Sequence, residues 1–214
     1  GATYNLSAIV KDANGNTIPG SAITWTSSNP SVAAVDPVTG QVTAGTTAGT
    51  ANITATVGLV TSTPTVITVN PDSVVNTITP SVSSQTLALN GSCTFTVIAK
   101  DSYGNIIPSP NVTYASSNPS IAAVDPVTGQ VTAGTTAGAV TINITSGGVT
   151  TAVTITVNPG PASTITLSST AQTLNIGATY NLSAIVKDAN GNTISSPAIT
   201  CGCINPSFSA GDQV

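Results

Sequence analysis

The feature that most constrains this chain is internal repetition. Residues 1–18, GATYNLSAIVKDANGNTI, recur without change at 177–194, an offset of 176. Residues 27–49 recur at 116–138 with one difference, Val32 against Ile121, an offset of 89. The similar endings TVITVNP and VTITVNP place Asn70 and Asn158 88 positions apart. The unit is therefore about 88 residues long, and 176 is two units. Boundaries follow at 1–72, 73–160 and 161–214.

Within a unit the hydrophobic period is two. Tyr4, Leu6, Ala8 and Val10 alternate with polar or exposed-type positions, and Cys93, Phe95, Val97 and Ala99 take the same places in the second unit. Residues 51–57 and 140–144 alternate likewise. Such alternation predicts half-buried strands. Turn residues divide the runs: Asn14-Gly15-Asn16, Asn29-Pro30, Asp36-Pro37-Val38-Thr39-Gly40 and Thr47-Ala48-Gly49. They supply the left-handed backbone and side-chain-to-backbone bonds that turns need. No 3.6-residue pattern competes. About seven short strands per unit, with turns every 8–12 residues, predict an all-β fold of tandem sandwiches.

Ile23-Thr24-Trp25-Thr26-Ser27-Ser28-Asn29-Pro30-Ser31-Val32-Ala33-Ala34-Val35-Asp36, then Gly40-Gln41-Val42-Thr43-Ala44 and the Gly49-led strand, resemble the bacterial Ig-like domain of group 2 (BIG2). The second unit matches with Tyr114 in place of Trp25. The resemblance covers two units and the front of the third. It implies Ig-like β-sandwiches of about 88 residues, with Trp25 and Tyr114 between the sheets. It also implies spacer modules of an extracellular surface, adhesin or filament-type protein, and no catalytic residues. In the third unit, Cys201-Gly202-Cys203-Ile204-Asn205-Pro206-Ser207 stands where Trp-Thr-Ser-Ser-Asn-Pro-Ser is expected, and Asp212 keeps the register of Asp36.

The chain opens on Gly and holds no Met, so a processed chain or fragment is expected. Gly1 is the counterpart of Gly177, so unit one is expected to lack its first strand, and unit three to stop before its closing strands. Either this is a window from a longer chain of such units, the favoured reading, or a strand is donated between copies. The joints Asn70-Pro71-Asp72 and Asn158-Pro159-Gly160-Pro161 leave little slack, which predicts semi-rigid joints and an extended rod.

Chemistry is scarce. The 214 residues contain no His, Glu or Arg, three Lys and seven Asp, for a formal charge of −4. Without His, acid–base catalysis near neutral pH lacks its usual agent, and three Lys cannot neutralise a nucleic-acid backbone. No enzyme activity, cofactor or nucleic-acid partner is expected, and no run suffices for a membrane span. Asp12-Ala13-Asn14-Gly15-Asn16 and its copies at 101–105 and 188–192 put oxygens where calcium loops have them. The glycine at position six and the acid at twelve are lacking, so a hairpin turn is the better reading and no metal is expected. Cys93 is expected on an inward face as a small hydrophobe.

Six N-x-S/T sequons are candidate glycosylation sites: Asn5, Asn52, Asn90, Asn111, Asn143 and Asn181. All but Asn90, placed in a turn, are expected on outward strand positions. Thr and Ser number 63, and an outward threonine face would also carry O-linked sugar. The expected partners are neighbouring units or copies of the chain, with covalent glycans. The other reading is an adhesin or carbohydrate-binding Ig-like module, betrayed by one unit with unusual loops. Tyr103 is the one extra loop aromatic.

Overall fold

The computed structural model describes residues 1–195 and 197–202. Among these the regular elements are all strands. The first repeat folds as two facing sheets. One contains Thr3–Asn5, Gln41–Ala44 and Ala33–Val35, antiparallel in that order. The other is built on the long strand Gly49–Val57, flanked by Thr24–Ser27 and by Val60–Thr61 and Thr65–Val69. Between them lie Trp25, Val32, Ala33, Val42, Ala51, Ile53 and Ala55. In Gly49–Val57 the odd positions Ala51, Ile53 and Ala55 are buried. Asn52 is exposed and Thr54 half-buried, the alternation expected of a one-sided strand.

The motif residues have separate structural jobs. Ser27 donates its Oγ hydrogen to the Ala33 carbonyl at 2.6 Å, and Ser116 does the same to Ala122 at 2.6 Å. Ser28 Oγ accepts from Asn52 N–H at 2.9 Å, as Ser117 does from Thr141 at 3.1 Å. The Ser-Ser pair thus ties its loop to two strands. Gly40 sits at φ 71° against the Trp25 indole, where a Cβ would lie 2.7 Å from Cε2. Gly129 stands in the same way against the Tyr114 ring. Conformation and space both demand glycine there.

The chain divides into two compact units that do not follow the repeat boundaries. One comprises Gly1–Thr79, Val97–Asn111 and Thr145–Thr150. Its second cluster is Val75, Ile78 and Ala99. The other comprises Pro80–Thr96, Val112–Ile144 and the described residues from Thr151 on. There Ser92–Cys93, Val131–Ala133 and Ala122–Val124 make one sheet. The facing sheet runs Thr113–Ser116, Gly138–Ser146, Val149–Val157 and Ser84–Leu87, the last strand parallel to its neighbour. Val131, Ile142, Val153, Ile155 and Val157 are almost wholly enclosed. Phe95 meets Tyr114 edge-on at 6.0 Å. Ala162–Leu167 pairs antiparallel with Ala184–Asp188 to open the third repeat.

Some expectations needed correction. The alternating stretch that holds Tyr4, Leu6, Ala8 and Val10 is a strand only at Thr3–Asn5. Tyr4, expected inward, is 66% exposed, whereas Leu6, Ala8 and Val10 are half-buried. In the second repeat Ser84–Leu87 lies along the sheet edge and Ile155 and Val157 are enclosed. The corresponding Ile67 and Val69 have no such neighbour among the described residues and remain half-buried. Trp25 is buried, but Tyr114 only half so. Its hydroxyl favours a route to solvent over full enclosure.

Candidate functional site at the repeat joints

The most elaborate polar arrangement is a five-residue loop, Asp-x-x-Gly-Asn, present in three copies. Each follows a Lys that bridges back across the turn: Lys11 to Thr17, Lys100 to Ile106 and Lys187 to Thr193. In each copy the first Asp N–H donates to the last Asn carbonyl, and the Gly N–H returns a bond to the Asp carbonyl. Gly15, Gly104 and Gly191 hold φ of 85–87°, which only glycine adopts without strain.

The Asp carboxylate organises the loop. Asp12 Oδ1 accepts from Asn14 N–H at 2.9 Å and Asn16 N–H at 2.8 Å, and Oδ2 accepts from Asn16 Nδ2 at 3.0 Å. Asp101 and Asp188 repeat this pattern with Asn105 and Asn192. The carboxylate oxygens of the calcium-like pattern are therefore already accepting N–H bonds. Among the described residues no three His, Cys, Asp or Glu side chains form a metal-binding group.

In the second and third copies the loop also grips what precedes it. Asp101 Oδ2 accepts from Asp72 N–H at 3.0 Å, and Asp188 Oδ2 from Gly160 N–H at 2.8 Å. Asn105 Nδ2 donates to the Thr46 carbonyl at 2.8 Å while its Oδ1 accepts from Ala48 N–H at 2.9 Å. Asn192 does the same with Thr135 at 2.9 Å and Ala137 at 2.9 Å. Both turns belong to the preceding repeat, both read Thr-Thr-Ala-Gly, and both are held through main-chain atoms alone. Asp101 and Asp188 are 2% and 3% exposed. Burial opposes ionisation of Asp188, yet bonds from Asn192, Gly160 and Asn190 prevail and hold its pKa at about 2. Asp101 is lowered by the same contest between burial and hydrogen bonds. Asp12, with the Asn16 side chain as the chief cause, is lowered too, but it is solvent-exposed and makes none of the outside contacts.

The sequence predicts a hairpin here, and the structure adds the grip on the preceding turn. A signal was present: the Asp and the Gly-Asn pair are kept in all three copies, while the third position is Asn14, Tyr103 or Asn190. That position contributes only its N–H.

The six sequon asparagines, Asn5, Asn52, Asn90, Asn111, Asn143 and Asn181, are all exposed. They are dispersed rather than gathered into a site. Asn5, Asn52 and Asn143 lie in strands, whereas Asn111 and Asn181, expected in strands, lie outside them. Asn90 occupies a turn at φ 59°. Cys93 is half-buried and burial raises its thiol pKa, so it is a poor nucleophile at neutral pH. Cys201 is exposed. Cys203, Asn205 to Ser207 and Asp212 lie outside the described residues. No helix among those residues is long and apolar enough to cross a membrane.

The model of the bacterial Ig-like domain, group 2, matches residues 1–69 and again residues 74–157. The chain belongs to this family. Among solved structures, this bacterial Ig-like chain is 32% identical to domains 4 and 5 of the S-layer protein SbsC, over 72% of its own length and 80% of that chain, with a TM-score of 0.41. Against SbsC domains 1–6 it is 31% identical over 91% of its length but spans 27% of that chain, with a TM-score of 0.41. The Escherichia coli adhesin FdeC is 24% identical over 87% of this chain and 68% of its own, with a TM-score of 0.58, a likeness of fold. Curated protein sequences yield no match. The Ig-like modules thus resemble those of bacterial surface-layer and adhesin proteins.

Proposed function

We propose that these modules are structural spacers of an extracellular bacterial surface or filament-forming protein, without catalytic activity. The observation that carries this reading is the joint. Two successive repeats each clasp the preceding one through the same Asp-Asn loop, with the same four main-chain partners, three before the loop and one within it. A chain selected to present one binding loop has no need to repeat its joints so closely. Likeness to S-layer modules, and the scarcity of charge and of acid–base side chains, support the same reading. In this role the repeats span 1–72, 73–160 and 161–214 and have other Ig-like units as neighbours. The exposed sequon asparagines and threonines carry covalent sugar.

A glycan array tests the spacer against the adhesin alternative. The spacer reading expects no glycan bound above background, and saturable binding to one glycan class overturns it. Intact mass of native material above the 20.9 kDa polypeptide supports the attached sugar, and a mass equal to it refutes that element.

A further inference from the structure

The loop at 12–16 is built like the other two, and among the described residues the side chains of Asp12 and Asn16 bond only within it. Its 18-residue surroundings are identical in sequence to those of the loop at 188–192. Its internal bonds match: Asn16 N–H to Asp12 Oδ1 at 2.8 Å against 2.9 Å for Asn192 and Asp188, and Asn16 Nδ2 to Oδ2 at 3.0 Å against 2.8 Å. Yet Asp12 and Asn16 are both exposed, whereas Asp188 is buried and Asn192 half-buried. The three bonds that Asp188 and Asn192 make outward have no counterpart at Asp12 and Asn16 among the described residues. Because the internal bonds are already in place, little ordering remains to be done on docking.

We propose that Asp12 and Asn16 form a docking face for the Thr-Thr-Ala-Gly turn of another bacterial Ig-like repeat of this kind. The partner's chemistry is read from the two occupied clamps. It must offer, two residues apart in one turn, a main-chain carbonyl to Asn16 Nδ2 and a main-chain N–H to Asn16 Oδ1. It must also bring a linker N–H within reach of Asp12 Oδ2. Since the partner is held by its main chain, the surrounding side chains are free to vary and any repeat with this turn and linker fits. The chain's own two such turns, at 46–49 and 135–138, are taken by Asn105 and Asn192. A turn at Asp12 therefore comes from a further repeat, not from these two.

This inference rests on the spacer reading only in taking repeats as the neighbours of repeats, and its test is separate from glycan binding. The 214-residue chain is extended by placing a copy of residues 74–176 ahead of Gly1, so that Asp12 meets the linker and turn that precede Asp188. Side-chain amide exchange of Asn16 is then followed by NMR in both chains. Docking predicts that the Asn16 amide slows by about tenfold in the extended chain, the scale of one net hydrogen bond, and approaches Asn192. Asn16→Ala is then expected to lower the melting temperature of the extended chain distinctly more than that of the original. An Asn16 amide that exchanges equally fast in both chains overturns the proposal. So does an Asn16→Ala effect of the same size in both.

Discussion

Residues 1–18 and 177–194 are one sequence in two surroundings, and the contrast separates what a loop does for itself from what it does for its neighbour. Both copies make the same turn, with glycine at φ 85° and the same Asp-centred bonds. These depend on the five residues alone. The second copy is bonded to the repeat before it, and there Asp188 is 3% exposed and gains the Gly160 N–H, whereas Asp12 is exposed. Local sequence therefore builds the clamp, and the preceding repeat turns it into a joint. A buried carboxylate is tolerated because every added loss of water is matched by an N–H donor.

The largest expected effect marks the limit of this comparison, because it lies in a sandwich core and not in a loop. Trp25→Ala removes the largest side chain of the first core and is expected to cost that repeat about 3–5 kcal/mol. The Asp188 joint should be untouched. Denaturant melts that show no destabilised transition would mean Trp25 is not between the sheets. Next comes the joint itself. Asn192→Ala breaks two bonds to the preceding turn and is expected to cost about 1–3 kcal/mol. Asn16→Ala, in an exposed loop, should cost under about 1 kcal/mol. Equal costs would erase the distinction between the copies.

Acid provides a smaller effect with a definite sign. The Asp188 carboxyl is held at about 2 in the folded chain against an ordinary value of 3.8. The unfolded chain therefore binds this proton first as pH falls. Its contribution is complete above about pH 5 and is lost progressively from about pH 4 down through about pH 2. Asp188→Asn should flatten that part of the pH–stability curve, and Asp12→Asn should alter it much less. The smallest effect is expected at the loop's third position. Asn190→Tyr copies Tyr103, which is 63% exposed, and should change stability by less than about 0.5 kcal/mol. A larger loss would show that the Asn190 side chain has a role beyond its N–H.

The fold was legible because its signals are local and repeated. Period-two alternation, Asp-Pro and Asn-Gly turns, and the Ser-Ser and Gly motifs each correspond to a bond or close approach in the structure, as at Ser27, Ser28 and Gly40. What was not legible depends on residues far apart in the chain. Asn105 meets Thr46 across 59 positions, and Asn192 meets Thr135 across 57. Nothing in Asp-x-x-Gly-Asn distinguishes a plain hairpin from a clamp until the preceding turn stands beside it. Tyr4 is exposed for a related reason, since alternation tells which face a residue takes but not whether another strand covers that face.

The most direct test needs one sample of the unmodified chain. Asn16, Asn105 and Asn192 are equivalent side chains in one molecule, differing in whether a preceding repeat's turn is in their grasp. Their side-chain amide exchange rates, measured together by NMR, should split into two classes. Asn105 and Asn192 are predicted to exchange slowly, each amide having two acceptors, and Asn16 about tenfold faster, on the scale of one net hydrogen bond. Three indistinguishable rates would contradict the account, because the loop would then be only a turn and the repeats would not be joined through it.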